Sequence, residues 1–170
     1  MGMRRFVETE PQALTDNVFS QIGKEWMLIT AGEEQKFNTM TASWGGLGVL
    51  WNKPVSFIFV RPGRYTYEFL EKSDTYSLCF LEEGQRPALQ LCGTKSGREI
   101  DKVKETGLTP VFSESAPYFE QARLVLQCRK LYIQDLDPAG FLDSRLSEFY
   151  DNDYHRLYVG VIEKVLRRED

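Results

Sequence analysis

The stretch Arg156-Leu-Tyr-Val-Gly-Val-Ile-Glu-Lys-Val-Leu166 decides the fold class of this chain. Leu157, Val159 and Val161 fall on one side of an extended backbone, with Tyr158 and Ile162 on the other, which is the two-residue period of a strand. A strand with two distinct faces belongs to an antiparallel sheet or barrel, because strands of a parallel sheet read as unbroken apolar runs. Outward from this stretch, similar short runs rich in β-branched and aromatic residues occur at 26–31, 39–44, 55–60, 75–81 and 122–133. Gly and Pro punctuate them.

Helical patterns are fewer and shorter. They fall at 11–22, at 65–72 with Tyr65, Phe69 and Leu70 toward one side, and at 86–91. A further one at 98–105 sets Ile100 and Val103 three apart and stops at Gly107, and a weaker one lies at 141–150. The elements do not alternate β-α-β. The pattern predicts a mainly β fold with helices, an antiparallel Greek-key-like barrel whose mouth is a natural place for a ligand. No repeat, low-complexity tract or linker divides the sequence, so residues 1–170 read as a single domain.

Composition excludes several function classes. The chain has 170 residues, 42% hydrophobic and 27% charged, a globular balance. Its net charge of −4 is not the footprint of a nucleic-acid binder. No run approaches the ~20 apolar residues of a membrane span. Residues 1–10 carry charges and no apolar leader, so the expected location is cytoplasmic. Cys79, Cys92 and Cys128 form no CxxC pair and read as small buried hydrophobes rather than disulfide partners or metal ligands.

Three segments carry candidate binding chemistry. Asn38, Thr39, Met40, Thr41, Ala42, Ser43 and Trp44 lead into Gly45 and Gly46. Small side chains there let a ligand approach the backbone, and hydroxyls and main-chain N–H groups suit an acceptor-rich heteroaromatic ring. The plainer reading is a polar strand end entering a loop. The glycines do not make the GxGxxG of a dinucleotide fold. Second, Arg61-Pro-Gly-Arg64-Tyr65-Thr66 opens a helix after the apolar strand. A helix start attracts anions, Thr66 is placed to cap it, and Arg61 and Arg64 suit phosphate oxygens. The alternative is a solvated turn whose arginines pair with Glu68 or Glu71. Third, Gly93-Thr-Lys95-Ser96-Gly-Arg-Glu99 has the spacing of a capping box at Ser96 and Glu99, with Lys95 free to touch a phosphate. It is not a P-loop. His155, the only histidine, stands before the last strand. With no triad or acid/base pair in view, a cofactor is expected to carry the chemistry.

Taken together, Asn38-Thr-Met-Thr-Ala-Ser-Trp44, Arg61-Pro-Gly-Arg-Tyr-Thr66, Thr75-Tyr-Ser-Leu-Cys-Phe80, Cys92-Gly-Thr-Lys-Ser-Gly-Arg-Glu-Ile-Asp-Lys102 and His155-Arg-Leu-Tyr-Val-Gly160 resemble the flavin reductase-like family of FMN-binding split β-barrels, near the flavoredoxins. Their order and separations match from about residue 15 onward. The resemblance implies a homodimer with one FMN per subunit near the interface. It implies an NAD(P)H-dependent flavin reductase, or else a flavoredoxin-like electron-transfer protein or a flavin holder without turnover. Residues 38–44 would lie along the ring and ribityl chain. Arg61, Arg64, Tyr65 and Thr66 would hold the phosphate, with Lys95 and Ser96 closing over it. His155 matches a position near the flavin and nicotinamide, and residues 132–153 stand out as an insertion or lid.

Overall fold

The computed structural model describes residues 4–169, so the ends of the domain expected over 1–170, and the first three residues of the charged stretch 1–10, lie outside the described residues. In chain order the strands are β1 (Phe6–Thr9), β2 (Met27–Glu33), β3 (Lys36–Ala42), β4 (Gly45–Leu50), β5 (Lys53–Val60), β6 (Thr75–Leu81), β7 (Pro110–Val111), β8 (Tyr118–Phe119), β9 (Ala122–Asp135) and β10 (Arg156–Arg168). The helices are α1 (Val18–Ser20), α2 (Tyr65–Lys72), α3 (Arg86–Thr94) and α4 (Lys102–Thr106).

The main sheet runs β3-β2-β6-β9-β10-β5-β4 and is antiparallel throughout, with β1 paired to the far end of β10. β3 and β4 are consecutive in sequence yet lie at opposite ends of this path, so the sheet curls into a barrel split between them. The chain crosses that split at Ser43 and Trp44. The expected mainly β split barrel is the observed one.

Strand alternation sorts the apolar residues into two cores. Met27, Ile29, Met40, Ile58, Val60, Leu78, Phe80, Leu126, Tyr158 and Ile162 pack inside the barrel. Leu28, Cys79, Leu81 and Val125 point outward, where Leu89, Cys92, Leu108 and Phe119 cover them. Met27, Leu28, Ile29 and Ala31 are therefore all fully buried, although one face of an antiparallel strand commonly meets water. The three cysteines are buried and unpaired, as read from sequence.

Several sequence expectations need correction. Residues 11–22 are not one helix. A 3₁₀ turn at Pro11–Ala13 gives way to extended chain, and the Asn17 side chain then accepts from the Phe19 and Ser20 amides to start α1 afresh. Asp16 is meanwhile held by Arg123 and Arg167 at 3.1 and 2.9 Å, which fixes the break. The helix expected over 98–105 begins only at Lys102, because Asp101, not Ser96, caps it by accepting from the Lys104 amide. Residues 141–150 form a 3₁₀ stretch at Ser144–Phe149 rather than an α-helix. The excursion assigned to 132–153 starts later, since β9 continues to Asp135 and the Leu136 amide meets the His155 carbonyl at its base.

β4 had no counterpart in the sequence reading. Three glycines hid it, and Gly45 has φ +146°, where a side chain would run into the Phe57 carbonyl.

Candidate functional site

β3 is an edge strand: β2 occupies one of its edges, and the other faces the split. Two clefts lie along that free edge. One, of about 200 Å³, is lined by Met40, Thr41, Ala42, Ser43, Trp44, Phe59, Arg61, Arg64 and His155. The other, of about 230 Å³, is lined by Asn38, Gly63, Arg64, Tyr65, Thr66, Gly93, Thr94, Lys95, Ser96 and Lys102. Arg64 belongs to both and joins them into one trough. The fold thus brings together the three segments singled out by sequence, with His155 at one end and the Lys95–Ser96 dipeptide at the other. Thr39 is the exception: its hydroxyl bonds Thr30 at 2.8 Å inside the sheet, and it lines neither cleft.

The positive turn is set by local backbone. Arg64 is the N-cap of α2 and supplies no side-chain cap. Thr66 does not cap the helix as its position suggested. Its buried hydroxyl accepts from Asn38 Nδ2 at 2.9 Å and ties α2 to β3. Neither arginine pairs with Glu68 or Glu71, because Arg98 and Arg156 take those carboxylates. Arg61 pairs with Asp153 at 2.8 Å, donates to the Phe149 carbonyl at 2.9 Å and lies under the Tyr150 ring. Arg64 has no carboxylate partner among the described residues, only a long contact of 3.4 Å to the Cys92 carbonyl. Burial, with Arg61 adding to it, lowers its affinity for a proton.

Lys102 is the residue that sequence reasoning missed. Its ammonium is buried and donates to the Thr39 carbonyl at 2.6 Å and the Cys92 carbonyl at 3.0 Å. It forms no ion pair among the described residues. Burial pulls its pKa down to about 8, and the neighbouring Arg64 acts in the same direction. Once Asp101 is known as the cap, the place of Lys102 is a cue: a lysine directly after it opposes the dipole of its own helix, so another contact must hold it there.

Lys95 is exposed and Ser96 half-buried. Ser96 does not form a capping box with Glu99; it opens a turn, its hydroxyl accepting from the Arg98 amide at 3.1 Å. Gly97 lies so close to Asn38 and Tyr65 that a Cβ would overlap both. Arg98 clamps this loop to the start of α2, stacking over Tyr65 and reaching Glu68 at 3.0 Å.

At the other end, His155 is buried, and its Nδ1 shares a hydrogen bond of 2.7 Å with the Tyr150 hydroxyl. Trp44, Phe59 and Tyr150 surround the imidazole. Burial, then the charge of Arg61, pulls its pKa down to about 4, so it is neutral at pH 7. Phe149 packs edge-on against Trp44, so the 136–155 excursion covers this end of the trough.

The donor set fits a flavin mononucleotide. Cations without carboxylate partners suit its phosphate, and the main-chain edge from Thr41 to Trp44, with the Ser43 hydroxyl, suits its ring. An antiparallel split barrel with such a trough is the class of fold that the sequence and structure define. The family profile described as "Flavin reductase like domain" matches residues 19–170, and the chain belongs to that family. A search of curated proteins gives no match.

Solved structures are similar in fold. An FMN-binding protein from Thermus thermophilus with bound 1-cyclohex-2-enone shares 21% identity at a TM-score of 0.66, covering 92% of this chain and 78% of its own. Flavoredoxin from Methanosarcina acetivorans shares 24% at 0.65, covering 92% and 75%. The NADH:FAD oxidoreductase of Streptomyces globisporus C-1027 shares 20% at 0.63, covering 85% and 78%.

Proposed function

We propose that residues 1–170 form one domain that binds FMN in the trough and works as an NAD(P)H-dependent flavin reductase. One observation carries this reading. Buried Lys102 and half-buried Arg64 face a shared cleft with no carboxylate to neutralise them among the described residues. Isolated buried charge is costly, so such a pair is best explained by an anionic ligand. Each charge-assisted hydrogen bond to a phosphate is worth roughly 1.5–3 kcal/mol, less the entropy lost on binding.

In this reading Arg64, Lys102, Lys95, Thr66 and Ser96 hold the phosphate, and Arg61 and Tyr65 flank it. The Asn38-to-Trp44 edge lies along the ribityl chain and ring. His155, neutral and oriented by Tyr150, stands at the ring end without charge to offer. The excursion flanks it there, with Phe149 against Trp44. The bound flavin supplies the hydride and electron chemistry; the chain supplies position and electrostatics.

A second reading is supported by the same excursion. Phe149 and Tyr150 pack against Trp44 and His155 at the ring end, where they would narrow a nicotinamide's approach and suit a flavoredoxin-like protein fed by a redox partner. A flavin holder without turnover is the third. Purified protein is expected to be yellow or to turn yellow with added FMN. Anaerobic NADH or NADPH bleaches it under the first reading. Bleaching by dithionite or a reduced protein donor alone selects the second, and a bleached flavin that no acceptor reoxidises selects the third. Protein that ignores FMN removes all three.

The reading extends to a homodimer in the cytoplasm, without nucleic acid or membrane as partner. Half-buried Phe57, Phe59, Leu157 and Val161 share the outer sheet face with exposed Tyr132, and Trp51 lies against Tyr132, an apolar surface suited to a second copy. Unpaired cysteines fit a reducing compartment, and no described helix is long and apolar enough to cross a membrane.

A further inference from the structure

A cavity of about 310 Å³ lies apart from the trough, between the stretch from Pro11 to Gln21, the tip half of the β4–β5 hairpin and Ile162 of β10. It shares no lining residue with either cleft of the trough. Leu14, Val18, Leu47 and Pro54 make apolar walls, and Ile162 and Gln21, the two buried lining residues, form its floor. A dry cavity of about 150 Å³ holds a benzene ring, so this one has room for a ring with a substituent.

Gln21 is the feature that demands explanation. It is 2% exposed, and its Nε2 meets no hydrogen-bond acceptor among the described residues. A buried amide left unpaired costs free energy that a leucine in its place would not. Slack in the chain does not account for it, because the segment is fixed at both ends. Asp16 is gripped by Arg123 and Arg167. Beyond the π turn at Gln21–Glu25, Arg86 lies 3.2 Å from the centre of the Trp26 ring and donates to the Lys24 carbonyl at 2.7 Å. Trp26 itself is held at φ +73°, a left-handed backbone that a bulky residue adopts only under constraint. The cavity is therefore preformed, with an unspent donor at its floor.

Charge narrows the class of ligand. Among the described lining residues Asp16 is the one carboxylate and Lys53 the one cation. Asp16 is already paired with two arginines, so the site calls for no cation. Lys53 is exposed, so an anion at the floor would be buried without a counter-charge. We propose that this cavity binds a small neutral molecule, an apolar ring bearing one carbonyl, whose oxygen accepts from Gln21 Nε2.

The test titrates three probes into isotope-labelled protein followed by NMR: acetophenone, ethylbenzene, which has a similar shape without the oxygen, and benzoate. Acetophenone is expected to shift the Gln21 side-chain amide signals and the Leu47 backbone signal. It is expected to bind about tenfold more tightly than ethylbenzene, with benzoate weakest. Gln21→Leu should bring acetophenone down to the ethylbenzene level while ethylbenzene holds within about twofold. The comparison of probes uses the unaltered chain, so it stands even where the leucine variant does not fold. Ketone and hydrocarbon binding alike, benzoate binding best, or shifts confined to Ser43 and Trp44 each overturn the proposal. Binding by none of the three also overturns it and leaves Gln21 Nε2 to a resident water. None of these outcomes depends on whether the trough holds a flavin.

Discussion

Replacing Arg64 with alanine removes a guanidinium that no carboxylate among the described residues neutralises. FMN binding is expected to weaken by roughly 1.5–3 kcal/mol, about tenfold or more, while riboflavin, lacking the phosphate, changes little. Fluorescence titration checks this, and equal loss for both ligands places the phosphate elsewhere. Lys102 adds a pH dependence. Its pKa near 8 in the folded chain means that the ammonium is lost as pH rises past that value. The FMN phosphate is already a dianion there. FMN affinity is therefore expected to fall above about pH 8, with riboflavin flat and Lys102→Met flattening the FMN curve. His155 works in the opposite window. Its pKa is about 4 when folded against 6.5 as an ordinary side chain, so the unfolded chain binds more protons between those values. Its contribution to stability is complete above about pH 6.5 and is lost as pH falls toward 4. Denaturant melts from pH 7 to pH 5 are expected to show a decline that His155→Phe reduces. Arg64 and the β3 hydroxyls were legible in sequence because their types and placement already suit an anion and a ring. Lys102 was not, because its meaning depends on two carbonyls, of Thr39 and Cys92, far from it along the chain.

The long strand β10 shows what an element demands of one residue. Gly160 stands opposite Ser56 of β5, next to a register shift against β9. A side chain there would collide with the Tyr76 ring, whose hydroxyl bonds Ser56 in the core. Gly160→Ala is expected to destabilise the protein by about 1–3 kcal/mol, read as a lower denaturation midpoint. The period-two run containing this glycine announced the sheet, and α2 and β6 appear over the residues that their patterns gave. What stayed hidden followed from contacts across the fold. β4 is a strand because its glycines lie beneath Phe57, an arrangement local propensity scores as a loop. The 11–22 pattern broke because Arg123 and Arg167 hold Asp16, and these lie more than a hundred residues later. The start of α4 moved because Asp101 outcompeted Ser96 for the cap.

For the molecule as a whole, the apolar outer face of β5, β9 and β10 leads to an expectation about assembly. Light scattering should give twice the chain mass, and Tyr132→Glu or Val161→Glu should give the single-chain mass with the secondary structure intact. A chain-length mass for the unaltered protein ends that expectation. The excursion between β9 and β10 has a different consequence. Its two ends meet through one backbone hydrogen bond, and no residue between them is fully buried. The barrel therefore closes at the foot of the loop whatever the loop contains. Substitutions, shortening or wholesale exchange of that loop can redraw what reaches Trp44 and His155 without renegotiating the fold, so under the proposed function the choice of electron partner would sit on a module that evolution, or an engineer, can swap.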